Sequence, residues 1–155
     1  MLHSSLKHDH STGTWSCSAD VTITQLSAIA ASNGTITSPN YPRSYSKNLN
    51  CQWQITVPTG KKVKLSFVHM DLEYRSSCSY DYVELRNGFN PYYSRIIGRY
   101  CGTTIPSPKY SSSNKMLVKF NSDYHRSGTG FKANWKAVDY GGENTDNCKF
   151  VLHLF

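Results

Sequence analysis

Cys51-Gln-Trp-Gln-Ile-Thr-Val57, Pro58-Thr-Gly60 and Lys61-Lys-Val-Lys-Leu-Ser-Phe67 make up the stretch whose pattern decides the fold class. Trp53, Ile55 and Val57 alternate with Gln52, Gln54 and Thr56, the signature of a strand with one buried face and one wet face. After the Pro-Thr-Gly turn, Val63, Leu65 and Phe67 alternate in the same way with Lys62, Lys64 and Ser66. Two such runs around a short turn predict a hairpin with a loop of about four residues.

The same period recurs outward from this pair. Val21–Thr24 is a short β-branched run that reads as an edge strand, and Ala28–Ala31 is a weakly apolar link. Ser38-Pro-Asn-Tyr-Pro42 takes the chain out of any sheet, because its two prolines withhold backbone donors. Tyr82–Arg86 reads as a strand closed by an Asn87-Gly88 turn, and Ile96–Cys101 as another. Met116, Val118 and Phe120 alternate, as do Phe131, Ala133, Trp135 and Ala137. Helical periodicity is absent and no internal repeat is visible, so the expectation is all-β, an antiparallel β-sandwich.

At 155 residues there is room for one domain and its tails. Residues 1–16 read as a disordered N-terminal tail, 17–138 as the domain, and 139–155 as a C-terminal tail or linker remnant. The cluster His3, His8 and His10 lies in that polar N-terminal segment, where a weak metal affinity is the alternative to a plain tail. Lys and Arg exceed Asp and Glu by 17 to 10, a net charge of +7. Such a surface favours acidic partners, and it also keeps a secreted domain soluble. No apolar stretch is long enough to span a membrane as a helix. The N-terminal MLHSSLKHDHSTGTWS lacks the apolar core of a signal peptide, so secretion would imply that the sequence is a piece of a longer one.

Cysteines stand at 17, 51, 78, 101 and 148. None forms the close pairs of zinc sites, and wide spacing suits disulfides in an oxidising compartment, with one thiol left over. That compartment argues against a nucleic-acid partner. Asn33-Gly34-Thr35 is an N-glycosylation sequon.

Asp71-Leu-Glu-Tyr-Arg-Ser-Ser-Cys-Ser-Tyr-Asp-Tyr-Val-Glu84 concentrates four acids, a cysteine and three tyrosines in a basic chain. Taken with Ser38-Pro-Asn-Tyr-Pro-x-x-Tyr45, Cys51-x-Trp53, Ile97-Gly-Arg-Tyr-Cys-Gly102, Phe120-x-Ser-Asp123 and Gly130-Phe131, it resembles the CUB domain family. The resemblance runs from about Gly34 to Lys136 and is strongest to CUB modules of tolloid-type and complement proteases and of neuropilins. It implies a CUB/spermadhesin-like jelly-roll sandwich of about ten strands, secreted or extracellular, with two disulfides. One would be Cys78–Cys101. The other would join Cys51 to Cys17 through a lengthened N-terminal segment; the alternative ties Cys17 to Cys148 and leaves Cys51 free.

The resemblance also implies a Ca2+ site. Its acids fall on Glu73, Asp81 and Asp123, with Tyr45 as the supporting tyrosine and Tyr124 or His125 contributing backbone carbonyls. Calcium takes six to eight hard oxygen ligands, and three converging carboxylates repel one another unless a cation neutralises them. The competing explanation has Arg75, Arg86 or Arg126 forming surface ion pairs with these acids, while Asp71 and Glu84 are expected to face solvent.

Three functions follow as expectations. The first is calcium-dependent recognition of an extracellular protein through an exposed Lys or Arg, framed by Tyr45, Tyr74, Tyr124 and His125. The second is binding of heparin-like glycans by Lys61, Lys62, Lys64, Lys132 and Lys136. The third is a non-catalytic accessory domain of a larger secreted metalloprotease. Catalysis by the chain itself is not expected. Ser66, His69 and Asp71 make a nucleophile trio only on paper, and G-x-S-x-G and H-E-x-x-H are absent.

Overall fold

The computed structural model describes residues 5–9, 14–22 and 33–141. Ten strands run through them: β1 (Ser5–Asp9), β2 (Thr14–Thr22), β3 (Asn33–Thr37), β4 (Leu49–Thr56), β5 (Lys61–Asp71), β6 (Tyr82–Asn87), β7 (Ile96–Tyr100), β8 (Lys109–Tyr110), β9 (Lys115–Asn121) and β10 (Gly130–Asp139). They form a six-stranded sheet, β1-β2-β4-β9-β6-β7, and a four-stranded sheet, β3-β10-β5-β8. All neighbours are antiparallel except β2 and β4, which run parallel. The all-β sandwich read from the alternation is the architecture found.

The alternating residues turn inward as read. Trp53, Ile55, Val63, Leu65, Met116, Val118, Phe120, Phe131 and Ala133 are all buried between the sheets. Phe131 joins the layers: its ring meets Trp53 at 5.7 Å and Phe120 at 5.6 Å between centroids, both edge-on, a geometry that adds to the gain from burial.

The pairing of the two founding strands differs from expectation. β4 and β5 are not a hairpin, because β4 pairs with β2 and β9 while β5 pairs with β10 and β8. Pro58-Thr-Gly60 carries the chain across from one sheet to the other. Both strands keep their apolar faces toward the same core, so alternation alone cannot tell a hairpin from a sheet-to-sheet crossing. Strand β1 and the start of β2 fall within the first 16 residues, which read as a disordered tail. Val21 and Thr22 lie in β2, which is covered on both sides by β1 and β4 rather than at an edge. Ile23, Thr24 and Ala28–Ala31, together with His3, His10 and Cys148, lie outside the described residues, and the 139–155 tail does so beyond residue 141.

Cys78 and Cys101 are disulfide-bonded, with Cα atoms 5.4 Å apart. Cys51 is also disulfide-bonded, which excludes the alternative that leaves it free. The backbone register sets Cys17 opposite Cys51; the Cys17 side chain lies outside the described residues.

Candidate metal centre and lysine face

Strand direction brings three distant acids together. β6 starts and β9 ends at the same end of the sandwich, with Tyr82 opposite Asn121. Asp81, just before β6, therefore meets Asp123, just after β9. Glu73 arrives from the other sheet, two residues past β5. Ligand oxygens of Glu73, Asp81 and Asp123 lie within 4.8 Å of one another.

The segment between Glu73 and Asp81 is short and sharply folded. A 3-10 turn at Ser76–Cys78 places Ser77 and Cys78 at φ 64° and 47°, a left-handed conformation unfavourable for both residue types. The disulfide to Cys101 and the 2.9 Å bond from Cys78 N–H to the Arg75 carbonyl hold it. Leu72 N–H donates to the Gly102 carbonyl at 3.1 Å, so the cystine partner's loop also carries the start of this segment.

Tyr45 is the keystone. It is buried against Phe120, ring to ring at 5.1 Å. Its hydroxyl donates to Asp81 Oδ2 at 2.5 Å and accepts from Glu73 N–H at 3.2 Å. Asp123 N–H donates to Asp81 Oδ1 at 2.8 Å. Ser122 Oγ accepts from Leu49 N–H and donates to the Ser46 carbonyl, tying the Asp123 loop to the Tyr45 loop. Gly128 completes the frame. Its carbonyl accepts from Tyr45 N–H, and a side chain there would place Cβ 2.1 Å from the Asp71 carbonyl oxygen. Gly128 carries no sequence signal beyond being a glycine in a loop.

Asp81 is fully buried, and burial raises its carboxyl above the ordinary carboxylate range. The bonds from Tyr45 and Asp123 N–H oppose that rise, and the charges of Asp123 and Glu73 add to it. Burial, with the bond to Asp81, pushes the Tyr45 phenol up. Among the described residues, Glu73 Oε2 is buried without a hydrogen-bond partner. A carboxylate oxygen withdrawn from water and left unpaired is costly. Three oxygen donors, one of them orphaned, are the donor chemistry that a hard cation takes. The residues fit calcium.

Among the described residues, basic side chains do not neutralise the trio. Among the described residues its carboxylates make no salt bridge, Arg75 lies over the Tyr80 ring at 5.1 Å, and Arg86 is bonded to Glu84. Arg126 lines a surface depression with Glu73, Tyr74 and Gly128 but is not ion-paired. Tyr74 and Tyr124 stand 75% and 68% exposed at the rim. His125 packs between Tyr124 and Tyr80 at 4.1 and 6.3 Å, and its N–H donates to Asp123 Oδ1 at 2.7 Å.

The two neighbouring acids correct the expectation that they face solvent. Glu84 is fully buried. It does point to the outer face of its sheet, but Arg86 Nε bonds its Oε1 at 2.5 Å and Arg99 bonds its Oε2 through two nitrogens at 2.6 and 2.9 Å, closing over it. Those two arginines hold its carboxyl below the ordinary range against the opposing effect of burial. Asp71 is partly buried, and its Oδ2 accepts from both Thr129 N–H and Thr129 Oγ1. His69 Nε2 is also bonded to Thr129 Oγ1, at 2.8 Å.

The lysines cover the outer face of the four-stranded sheet. Lys136 stands opposite Lys64, Lys64 opposite Tyr110, and Asn33 opposite Lys136. Lys62 reaches over the Tyr140 ring at 4.7 Å and Lys64 over Tyr110 at 5.5 Å. Lys132 follows along β10. Lys61 points the other way and is ion-paired with Asp139.

The fold is thus a disulfide-closed β-sandwich that gathers an oxygen-donor cluster at one end. Residues 25–135 match the family model for the CUB domain. The chain is 40% identical over 121 residues to dog (Canis lupus familiaris) cubilin, covering 78% of this chain and 3% of that protein. Zebrafish Gpr126/Adgrg6, solved as its full extracellular region, superimposes with a TM-score of 0.66 at 32% identity, covering 80% of this chain and 15% of that one. The MASP-1 CUB2 domain, solved bound to Ca2+, superimposes with a TM-score of 0.60 at 31% identity, covering 68% of this chain and 92% of that one. The chain belongs to the CUB domain family, and it spans only a small part of the curated relatives it matches.

Proposed function

We propose that this domain is a calcium-dependent protein-recognition module in which Glu73, Asp81 and Asp123 ligate Ca2+ and the same loops receive a Lys or Arg of an extracellular partner. The observation that carries the reading is the buried Glu73 Oε2, unpaired among the described residues, beside two further carboxylates. Bound calcium would supply positive charge that offsets the mutual repulsion of the three acids and fixes their orientation. Carboxylate oxygens not turned toward the ion remain acceptors for a partner's ammonium or guanidinium group, a charge-assisted contact. Tyr74, Tyr124 and His125 frame that contact with aromatic surface, which suits an interface. The domain would act as a non-catalytic unit, a secreted metalloprotease being one parent that could use it as an accessory module.

The test is a thermal melt with calcium and with EDTA. Calcium raises the midpoint, EDTA reverses the rise, and Asp81→Ala abolishes it. A melt that ignores millimolar calcium would sink the assignment.

A second reading has its own observation. Lys64 and Lys136 stand directly opposite one another on one sheet face, and like charges in that position destabilise an antiparallel pair. Among the described residues neither they nor Lys62 or Lys132 is ion-paired. A sulfated, heparin-like glycan laid across β10 and β5 would relieve that repulsion. Its retention would fall with salt.

A further inference from the structure

We propose that Asn33 bears an N-linked glycan that covers the lysine face and controls access to it, an inference that rests on the second reading above. Asn33 is the first residue of β3 and is exposed. The sequon Asn33-Gly34-Thr35 therefore presents its acceptor amide at an accessible strand end. The register places that amide at one end of a row running Asn33, Lys136, Lys64, Tyr110 across all four strands of the sheet. Residues directly opposite share a face, and neighbouring strands lie about 4.8 Å apart, so Asn33 is roughly 10 Å from Lys64. Asn33, Lys64, Ser66, Asn134 and Lys136 line one open depression on that face.

Gly34 sets the height of the row's first member. A Cβ there would lie 2.6 Å from the Trp135 ring, so only glycine lets β3 lie flat against Trp135. That close approach holds Asn33 level with Lys136 rather than lifted away from it.

Attachment is a transferase-catalysed glycosyl transfer in the secretory compartment, since an amide nitrogen is too weak a nucleophile to react unaided. The Asn33 amide nitrogen bonds the anomeric carbon of an oligosaccharide carried on a lipid diphosphate. The bond from that carbon to the phosphate oxygen breaks, the lipid diphosphate departs with the electron pair, and the nitrogen's proton passes to a base of the transferase and on to solvent. The first sugars then begin beside Lys136 and spread over the depression that a sulfated chain would need. Occupied Asn33 closes the lysine face, and unoccupied Asn33 opens it. The calcium loops lie beyond the other end of β10 and are untouched by the change.

The experiment secretes the full chain from glycosylating cells behind a cleavable leader, as wild type, as Asn33→Gln, and as Asn33→Gln with Lys64→Ala and Lys136→Ala. Mass spectrometry should find hexose-bearing peptide at Asn33. On a heparin column Asn33→Gln should elute at higher salt than wild type, and the triple variant at lower salt than Asn33→Gln. Trimming folded wild type with an endoglycosidase that leaves one sugar should reproduce the Asn33→Gln shift without a substitution. An enzyme that hydrolyses the amide is unsuitable, because it leaves an aspartate opposite Lys136. An unmodified Asn33, or co-elution of wild type, trimmed protein and Asn33→Gln while the triple variant still elutes earlier, overturns the glycan gate and leaves the lysine reading standing. Retention of Asn33→Gln that ignores both lysine substitutions overturns the lysine reading and the gate with it.

Discussion

Asp81 and Glu84 lie three residues apart and are both fully buried, yet their surroundings are opposite. Glu84 is closed over by Arg86 and Arg99 and is held ionised. Asp81 has a phenol and one backbone N–H as donors, two further acids as neighbours, and a carboxyl raised by its burial. Burial therefore says nothing by itself about role. A carboxylate with its cations built in is part of the scaffold, and one packed among other carboxylates leaves a charge for something else to neutralise. The two also differ in source: the partners of Glu84 come from its own strand and the next, whereas Asp81 draws on loops from both sheets.

The comparison can be broken most severely at Glu84. Removing one member of a buried ion pair strands the other, at about 3–5 kcal/mol; because Arg99 is partly exposed, Glu84→Ala should lower unfolding free energy by about 3 kcal/mol. Chemical denaturation would show it, and the loss should be the same with calcium or EDTA. A loss smaller than about 1 kcal/mol, the range of surface pairs, would mean that the arginines are solvated and the pair is not part of the scaffold.

Asp81→Asn is expected to behave in the reverse manner. It keeps a side chain able to bond Tyr45 and Asp123 N–H while removing the buried charge, so stability without calcium should not fall. The calcium increment should vanish instead. In wild type that increment is about 2.7 kcal/mol at a hundred times the dissociation constant. An Asp81→Asn protein that still gains stability from calcium would show that Asp81 is scaffold like Glu84.

Acid titration sharpens the contrast with smaller effects. Glu84 is depressed when folded, so its contribution is present above the unfolded glutamate value of about 4.3 and is lost as pH falls through the folded one. Asp81 is raised when folded. Its contribution is complete below the unfolded aspartate value of about 3.9 and is lost as pH rises through the folded one. In EDTA, wild type should therefore lose stability relative to Asp81→Asn as pH climbs from about 4 toward neutrality. Glu84→Gln should flatten the loss of stability below about pH 4.3 that wild type shows. Parallel pH profiles for wild type and Asp81→Asn would remove the raised carboxyl from the account.

Much of this was legible from local pattern. Strands β4, β5, β9 and β10 follow from alternation, because a side-chain period of two is a property of the strand itself, and β6 from a run closed by the Asn87-Gly88 turn. Glu73, Asp81 and Asp123 were identifiable through the family resemblance and do converge. Glu84 departs from the expected solvent exposure although its position in β6 does put it on the outer face; what buries it is the reach of Arg86 and Arg99, and long side chains folding over a neighbour leave no periodic trace. The Pro58-Thr-Gly60 turn reads as a hairpin but is a crossing between sheets, because a turn states that the chain reverses, not which sheet receives it.

By itself the sequence determined the all-β class, the strands of the sandwich core, the cysteines available for bridging and the acids available for a cation. Each is set by residue type and short-range spacing. Only the tertiary structure decided that β4 and β5 belong to different sheets, that Glu84 is sealed while Glu73 keeps an orphaned oxygen, and that Asn33, Lys136 and Lys64 share one row. Those outcomes depend on which strands pair and in what register, and pairing between residues far apart in the chain is settled by the packing of the whole core rather than by any stretch of sequence.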